Sequence, residues 1–354
     1  MAVQIIEVSR RFFEQVVRPL LERAFPEEAR QMACGVFGYG SECLGMDDEV
    51  SRDHHWGLRV DALMPDALFR GRAGEILARV GKEMPETFEG FALREGHVQG
   101  AGIAPESLEG FLRRTIGLTD APKDLRAWLD MPEEDLVHVT NGEVWYDPSG
   151  RFTQIREALA YYPDPVWLRR ISHWCRYFSG MGVYALNRAL MRGNLVYATT
   201  AFGRAVKWGM ELAFLLNRRY FPYDKWLYPF FQRLPDLADR MDPLICEAVQ
   251  GGTSWERRLR ILEAISDILD EKMVALGIIP PHPRFQGSAT SGYRLLEHAY
   301  AVIVQQLPTE VKNHVPLWDQ VFLEEFHTGY VDAISIEAWD RILNLTAMEG
   351  RPAP

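Results

Sequence analysis

Apolar residues recur every three or four positions through the first 24 residues, which is the spacing of an amphipathic helix. The residues that carry this pattern are Ile5, Ile6, Phe12, Phe13, Val16, Val17, Leu20 and Leu21. Pro19 and Pro26 are expected to break the helical segment, because proline lacks a backbone N–H and clashes with the preceding turn. Residues 33–39 are small, apolar or aromatic, and they predict a buried strand that ends at Gly40 and Ser41.

A second strand is predicted from Asp53, because apolar and polar positions alternate there with a period of two. The predicted apolar face holds His54, Trp56, Leu58, Val60 and Ala62. The predicted polar face holds Asp53, His55, Gly57, Arg59 and Asp61. A helix should follow from Asp66 to about Glu83, and weaker strands are expected at residues 97–103 and Glu143–Tyr146.

From about Phe152 onward the pattern is helical almost throughout, with Asn194 and Thr253 as expected N-caps. The sequence therefore predicts an α+β protein of two domains. Residues 1–151 would form a small mixed sheet with helices, and residues 152–354 an all-α helical bundle.

Composition and charge narrow the functional classes. The chain has 354 residues and a net charge of −10, which argues against a protein that holds nucleic acid through a broad basic surface. No apolar run approaches the roughly 20 residues that span a bilayer, and residues 1–11 do not resemble a signal peptide. The four cysteines form no C-x-x-C pair, which suits a reducing compartment. We therefore expect a cytoplasmic protein without a nucleic-acid or membrane partner.

Gly38, Gly40 and Ser41 stand where a strand would run into a helix, followed by the acidic stretch 42–53. Glycine lets the backbone approach a phosphate closely, and a helix N-terminus favours an anion. Asp53 and His55 would lie about 6–7 Å apart on one strand face, close enough to share a divalent cation. The alternative is an ordinary glycine turn followed by a solvated acidic loop.

Three longer runs resemble the DUF4037 family of the polymerase-β-type nucleotidyltransferase superfamily. They are GYGSECLGMDDEVSRDHHWGLR at 38–59, GEVWYDPSGRFTQIREALAYYPDPVW at 142–167 and LAFLLNRRYFPYDKW at 212–226. The resemblance extends over roughly residues 30–260, and the 38–59 run is its most specific part. It implies a nucleotidyltransferase-like N-terminal domain.

By this resemblance Gly40 and Ser41 would bind a nucleoside triphosphate, with Arg59 as a further contact. Asp53 would be the first metal carboxylate, and His55 would stand where the superfamily usually has a second. Histidine suits Mg²⁺ less well than an oxygen ligand, which leaves room for Mn²⁺ or another transition metal.

A third carboxylate usually lies on a later strand, but residues 97–103 contain none. Asp61, Asp147, Asp47, Asp48 or Glu49 could substitute for it, and Glu49 is taken here as a metal ligand. The site could equally be catalytically altered.

In the helical half, polar residues recur at helical spacing on an otherwise apolar segment, namely Tyr197, Thr200, Arg204, Lys207 and Glu211. Arg204 and Lys207 could bind the phosphates or an acidic substrate. The alternative is an exposed helix face with salt bridges.

The leading functional hypothesis is metal-dependent transfer of a nucleoside monophosphate from ATP or another nucleoside triphosphate. The acceptor would be a small molecule or a protein side chain. The alternatives are a non-catalytic nucleotide or metal sensor, and an enzyme that uses the same fold and metal for different chemistry.

Overall fold

A continuous helical segment from Ile5 to Ala24 begins the described part of the fold. The computed structural model describes residues 4–52, 57–93, 102–281 and 296–313. The segment consists of α1 (Ile5–Phe12), a π-helical stretch (Phe13–Val17) and α2 (Arg18–Ala24). The expected break at Pro19 is therefore wrong. The wider π-helical turn lies directly before this proline, where the ordinary helical hydrogen bonds would be disturbed, and the helix continues through it.

Within the described residues, four strands form a mixed sheet in the order β5-β2-β1-β6. These four strands are β1 (Ala33–Val36), β2 (Asp61–Met64), β5 (Ala104–Ser107) and β6 (Glu143–Tyr146), and β3 (Thr87–Phe88) and β4 (Phe91–Ala92) form a separate two-stranded sheet. β1 is antiparallel to both β2 and β6, whereas β2 and β5 are parallel. The predicted α+β class with a small mixed sheet is confirmed.

Gly35 in β1 is required by the close approach of β6. A Cβ atom at this position would lie 2.0 Å from the carbonyl oxygen of Glu143. The pairing of β1 with β6 also shifts its register between Cys34 and Gly35. The small residue thus allows the two strands to meet at this irregularity.

The predicted strand from Asp53 is wrong in its starting point within the described residues. Residues 53–56 lie outside them, residues 57–60 are not strand, and β2 begins at Asp61. The alternation itself is confirmed for the described positions, because Leu58, Val60 and Ala62 are almost completely buried. The apolar face of this segment packs in the core with Phe12, Phe13 and Met32, among others.

The strand predicted at residues 97–103 is also misplaced. Ile103 is not in a strand, and β5 covers Ala104–Ser107 instead, while residues 94–101 lie outside the described ranges. The helix Asp66–Glu83 and the strand Glu143–Tyr146 are confirmed with the predicted bounds.

Helices make up most of the remaining described chain. They are α3 (Pro26–Ala29), α4 (Asp66–Glu83), α5 (Leu108–Ile116), α6 (Leu125–Leu129), α7 (Glu133–Thr140), α8 (Arg151–Ala158), α9 (Asp164–Arg176), a π-helical stretch (Tyr177–Tyr184), α10 (Ala185–Met191), α11 (Leu195–Leu216), α12 (Asp224–Phe231), α13 (Ala238–Val249), α14 (Trp255–Ala275), α15 (Glu297–Gln306) and α16 (Thr309–Lys312). None of the helices in the described ranges is long and apolar enough to cross a membrane.

Side-chain caps mark the starts of several helices. Asn194 caps α11 as predicted, because its Oδ1 accepts from the backbone N–H of Tyr197 at 3.1 Å. The expected cap Thr253 is wrong by one residue. Ser254 takes that role for α14 and accepts from Arg257 N at 3.2 Å.

The chain divides into two compact units. The first consists of Met1–Pro122, Glu133–Tyr161 and Tyr220–Pro222, and it contains the sheet. The second consists of Lys123–Pro132, Tyr162–Arg219 and Tyr223–Pro354, and its described elements are all helices. α8, which the sequence placed in the helical half, belongs to the first unit. A helical bundle reaching residue 354 stays a prediction, because residues 314–354 lie outside the described part.

Candidate functional site

The loop that follows β1, residues 37–45, has a backbone that requires glycine. The φ angles are +88° at Gly38, +139° at Gly40 and +65° at Gly45, all in the region that side chains disfavour. A Cβ atom on Gly40 would lie 2.5 Å from Glu42 Oε1. Ser41 then opens a short 3₁₀ helix, Glu42–Leu44. In place of the helix expected after Ser41, only this single 3₁₀ turn follows. Residues 37–45 are called the glycine loop below, and their binding of a phosphate stays a prediction.

Asn141 and Gly142, which directly follow α7, hold the glycine loop at two points. The N–H of Gly38 donates to Asn141 Oδ1 at 2.9 Å, and Asn141 Nδ2 donates to the carbonyl of Gly38 at 2.7 Å. The N–H of Gly142 donates to the carbonyl of Cys43 at 2.9 Å. Gly142 has a φ of +61°, and a Cβ there would lie 2.1 Å from the carbonyl oxygen of Val36. Sequence reasoning missed both residues, because a contact 103 positions away in the chain leaves no local signal.

Arg59 lies at the base of the same loop, and its side chain is only 12% exposed. Its guanidinium nitrogens reach two carboxylates and three loop atoms: Glu42 Oε1 at 3.0 Å, Asp61 Oδ2 at 3.4 Å, the carbonyl oxygens of Phe37 and Tyr39 at 3.2 Å each, and Cys43 Sγ at 3.1 Å. Arg59 thus links Asp61, the first residue of β2, to the glycine loop from Phe37 to Cys43.

Asp61 completes this network from the first position of β2. Its Oδ2 accepts from the backbone N–H of Phe37 at 3.0 Å. Burial raises the pKa of Asp61 and of Glu42 above their ordinary values, although the charge of Arg59 acts in the opposite direction. The buried carboxylate of Glu42 and the partly buried one of Asp61 therefore share the guanidinium of Arg59, and the three groups carry a net charge of −1 when all are ionised.

The acidic stretch after the loop separates into residues with different surroundings. Asp47 is buried, and its Oδ2 accepts from the N–H of Ile5 at the start of α1, at 2.9 Å. Asp48 Oδ1 accepts from Ser51 N at 2.8 Å, just before the 3₁₀ turn Val50–Arg52. Glu49 is exposed. Asp48 is exposed as well, so Asp48 and Glu49 can both be reached from solvent.

The predicted metal ligands Asp53 and His55 lie outside the described residues. Their proximity to each other and to Ser41 therefore stays a prediction. In the described ranges, which omit both residues, no group of three or more His, Cys, Asp and Glu side chains is placed to hold a metal ion.

Glu106 is an acid on the later strand that sequence reasoning overlooked. In the parallel pairing of β2 with β5, Asp61 lies opposite Ala104 and Leu63 opposite Glu106, so Asp61 and Glu106 share one face of the sheet. Glu106 forms a bidentate ion pair with Arg114, with Nη2 at 2.9 Å from both carboxylate oxygens. A local signal was present, because Ser107 caps α5 and so marks the end of the preceding strand.

The predicted phosphate contacts of the helical half lie on α11 in the second unit. Lys207 Nζ is 2.5 Å from Asp224 Oδ1 and 3.8 Å from Glu211 Oε1, so it already has two acidic neighbours. Arg204 is partly buried on the same helix. A contact of Arg204 or Lys207 with a ligand stays a prediction. Of the predicted nucleotide contacts, Gly40, Ser41 and Arg59 lie together in the first unit.

Comparison with known families finds a match in the part of the chain that contains Asn141 and Gly142, the two residues that bind the glycine loop. Residues 128–227 match the family model described as "Domain of unknown function (DUF4037)". This match spans 100 of the 354 residues of the chain. The resemblance drawn from the runs at 142–167 and 212–226 is thereby confirmed, and the DUF4037 match includes Asn141 and Gly142. The 38–59 run, taken from the sequence as the most specific part, lies outside the matched range.

Among solved structures, the chain is similar to a nucleotidyltransferase-like protein from Exiguobacterium sibiricum. The two are 12% identical, and the match covers 83% of this chain and 90% of that chain with a TM-score of 0.38. A TM-score at this level does not show a shared fold, and the similarity carries no argument about function. No curated protein matched the sequence.

Proposed function

We propose that the protein is a metal-dependent nucleotidyltransferase that moves a nucleoside monophosphate from ATP or another nucleoside triphosphate to a small-molecule or protein acceptor. The observation that carries this proposal is the glycine loop. Asn141, Gly142 and Arg59 hold its backbone through hydrogen bonds from the protein itself. A binding loop that is already held in its bound conformation loses less conformational entropy on binding, which strengthens the binding of the triphosphate.

In this reaction an acceptor oxygen forms a bond to the α-phosphorus of the triphosphate. The bond from that phosphorus to the pyrophosphate oxygen breaks, pyrophosphate leaves, and the acceptor proton passes to water or to a carboxylate. Little covalent chemistry is required of the protein, so positioning and charge neutralisation supply most of the rate.

The charge around the loop supports a requirement for a cation. Residues 42–61 contain six acids (Glu42, Asp47, Asp48, Glu49, Asp53 and Asp61) and two arginines (Arg52 and Arg59). A bare triphosphate would be repelled by this surplus of negative charge, whereas a triphosphate that carries Mg²⁺ or Mn²⁺ would not. Asp53, His55 and Glu49 are the residues proposed to contact the cation.

A specific observation also favours the alternative of a nucleotide or metal sensor without turnover. Glu42, Asp61 and Glu106 are each paired with an arginine, so these three acids are already engaged within the protein. In that case the chain would bind a nucleotide and a cation but would not release pyrophosphate.

Incubation of the purified protein with each nucleoside triphosphate, with Mg²⁺ or Mn²⁺, and with a metabolite extract tests the proposal. Pyrophosphate release that depends on the cation, and that is lost in Asp53→Asn, supports transfer. Saturable nucleotide binding without pyrophosphate release supports the sensor. Absence of nucleotide binding under every condition contradicts both.

A further inference from the structure

The sequence predicts that Arg59 contacts the nucleotide, but its side chain is largely enclosed by groups of the protein itself. A guanidinium that serves a phosphate presents its N–H groups to solvent or to a cleft. Here Nη1 pairs with Glu42, and Nη2 donates to the carbonyl oxygens of Phe37 and Tyr39. Nη2 therefore has acceptors within the protein, and Nη1 and Nε lie at ion-pair distance from Glu42 and Asp61, although the buried Nε makes no hydrogen bond. The side chain is 12% exposed.

The acceptors of Arg59 are distributed so as to define the shape of the loop. Phe37 precedes Gly38, Tyr39 stands between Gly38 and Gly40, and Glu42 follows Ser41. One rigid planar group thus contacts the backbone before and between the two glycines, and the side chains of Glu42 and Cys43 after them. Glycine is the most flexible residue type, so such a segment keeps one conformation only if other groups hold it.

We propose that Arg59 is a positioning residue. Its contacts, called the clamp below, hold the glycine loop, residues 37–45, in the conformation that accepts a triphosphate, and Arg59 does not itself touch the nucleotide. The inference that the loop accepts a triphosphate rests on the proposed function, whereas the clamping of the loop does not. Arg59 also links the loop to β2 through Asp61, whose Oδ2 in turn accepts from Phe37 N.

Lysine cannot replace arginine in this role. Its ammonium is a single point charge, whereas the guanidinium directs N–H groups along several fixed directions at once. Arg59→Lys keeps the positive charge between the two carboxylates but loses the simultaneous contacts with two carbonyl groups. The substitution therefore separates the effect of charge from the effect of geometry.

Hydrogen exchange in the protein without nucleotide tests the clamp independently of any activity. In Arg59→Lys, amide exchange in residues 37–45 should rise by about tenfold or more, while exchange in α11 and α14 stays unchanged. The matched control is Arg30→Lys, whose guanidinium pairs with Glu27 on the surface at 68% side-chain exposure, and it should not alter exchange in the loop. Unchanged exchange in the loop, or an equal rise throughout the chain, would overturn the proposal.

A second variant keeps the test decisive if Arg59→Lys does not fold. Glu42→Gln retains Arg59 and the volume of the side chain but removes the negative charge beside Nη1. It should also raise exchange in residues 37–45 selectively, and an unchanged loop in this variant would count against the clamp.

Steady-state kinetics then connect the clamp to the proposed function. A displaced loop binds the triphosphate more weakly in both ground and transition states, so Arg59→Lys should raise KM for the triphosphate about tenfold and change kcat little. A fall in kcat at unchanged KM would instead indicate contact with the reacting groups and overturn the positioning role. If the wild type neither binds nor turns over any triphosphate, the proposed function fails, and the hydrogen-exchange result still decides the clamp.

Discussion

Asn141 and Gly38 exchange two hydrogen bonds, with the side-chain amide of Asn141 acting as both acceptor and donor for the backbone of Gly38. The side-chain amide of Asn141 takes the place of the backbone hydrogen-bond partners that a neighbouring strand would supply to Gly38. Since Asn141 directly follows α7, the pair joins the end of that helix to the glycine loop. The loop is therefore part of the folded framework of the first unit.

Asn141→Ala should destabilise the protein, because Gly38 loses both partners at a partly buried site. We expect a decrease of about 1–3 kcal/mol in the free energy of unfolding, measured by urea denaturation. Asn141→Asp keeps the acceptor for the Gly38 N–H but places a carboxylate against the Gly38 carbonyl, so it should destabilise as well. A change below about 0.5 kcal/mol in both variants, as for an ordinary surface substitution, would show that the pair does not hold the loop.

Gly35→Ala should disrupt the sheet. Its Cβ would lie 2.0 Å from the Glu143 carbonyl oxygen, a backbone atom that cannot move without separating β1 from β6. We expect a loss of several kcal/mol, or failure to fold, in thermal and denaturant melts. Gly74→Ala is the matched control, because nothing lies within 4 Å of its added Cβ on α4, and alanine favours a helix by about 1 kcal/mol. Equal effects of the two substitutions would contradict the account of β1 and β6.

The contribution of Asp135 on α7 to stability should fall with rising pH. Burial, with a smaller contribution from the charge of Glu134, raises the pKa of Asp135 to about 6. Between the unfolded value of about 4 and this value, the native state holds a proton that the unfolded chain has lost. The contribution of Asp135 to the free energy of unfolding therefore decreases as pH rises through that window, and the cost of its buried charge is fully present above the window.

Asp135→Asn removes this penalty and should stabilise the protein at pH 8 by about 1–2 kcal/mol, allowing for partial exposure, with little effect at pH 4. Glu134→Gln should shift the pH dependence of stability toward lower pH. Melting curves of both variants across pH 4–8 check the prediction. A constant difference between Asp135→Asn and the wild type at all pH values would exclude titration of Asp135 as the cause.

Much of the fold could be predicted from the sequence where the signal is local. The alternation at Leu58, Val60 and Ala62 identified the buried face, and helical periodicity gave α4 its bounds. Strand ends were less certain, because the alternation continues past the hydrogen-bonded ladder. The predicted strand therefore began at Asp53, whereas β2 begins at Asp61 within the described residues.

The candidate site could be predicted only in part, for a different reason. The glycines and Ser41 stand out in the sequence because their residue types are unusual for their positions. The partners of the glycine loop are ordinary residues, and only the folded chain brings Asn141 and Arg59 to it. The positioning role proposed for Arg59 likewise depends on the folded chain, since sequence alone cannot distinguish an arginine that meets a ligand from one that lies between Glu42 and Asp61.

Arg204 and Lys207 should respond differently to substitution. If Arg204 meets an anionic ligand, Arg204→Ala should weaken triphosphate binding by about 1–3 kcal/mol, the range of a charge-assisted hydrogen bond. Lys207→Ala should change stability by at most about 1 kcal/mol through its ion pair with Asp224, and the effects of Lys207→Ala and Asp224→Ala should not be additive. Calorimetric titration and thermal melts measure both effects. Unchanged affinity in both variants would restrict the ligand site to residues outside α11.

Equilibrium titration of wild type and Asp53→Asn with ATP, in the presence of Mn²⁺ or Mg²⁺, tests the central claim most directly. The amide fills the volume of the carboxylate but lacks the charge that a divalent cation requires. We predict that the wild type binds the nucleotide only together with the cation. Asp53→Asn should melt like the wild type and lose affinity by about tenfold or more, as for one lost charged contact. Equal affinity of the two proteins, or nucleotide binding that does not depend on the cation, would contradict a metal-dependent nucleotidyltransferase.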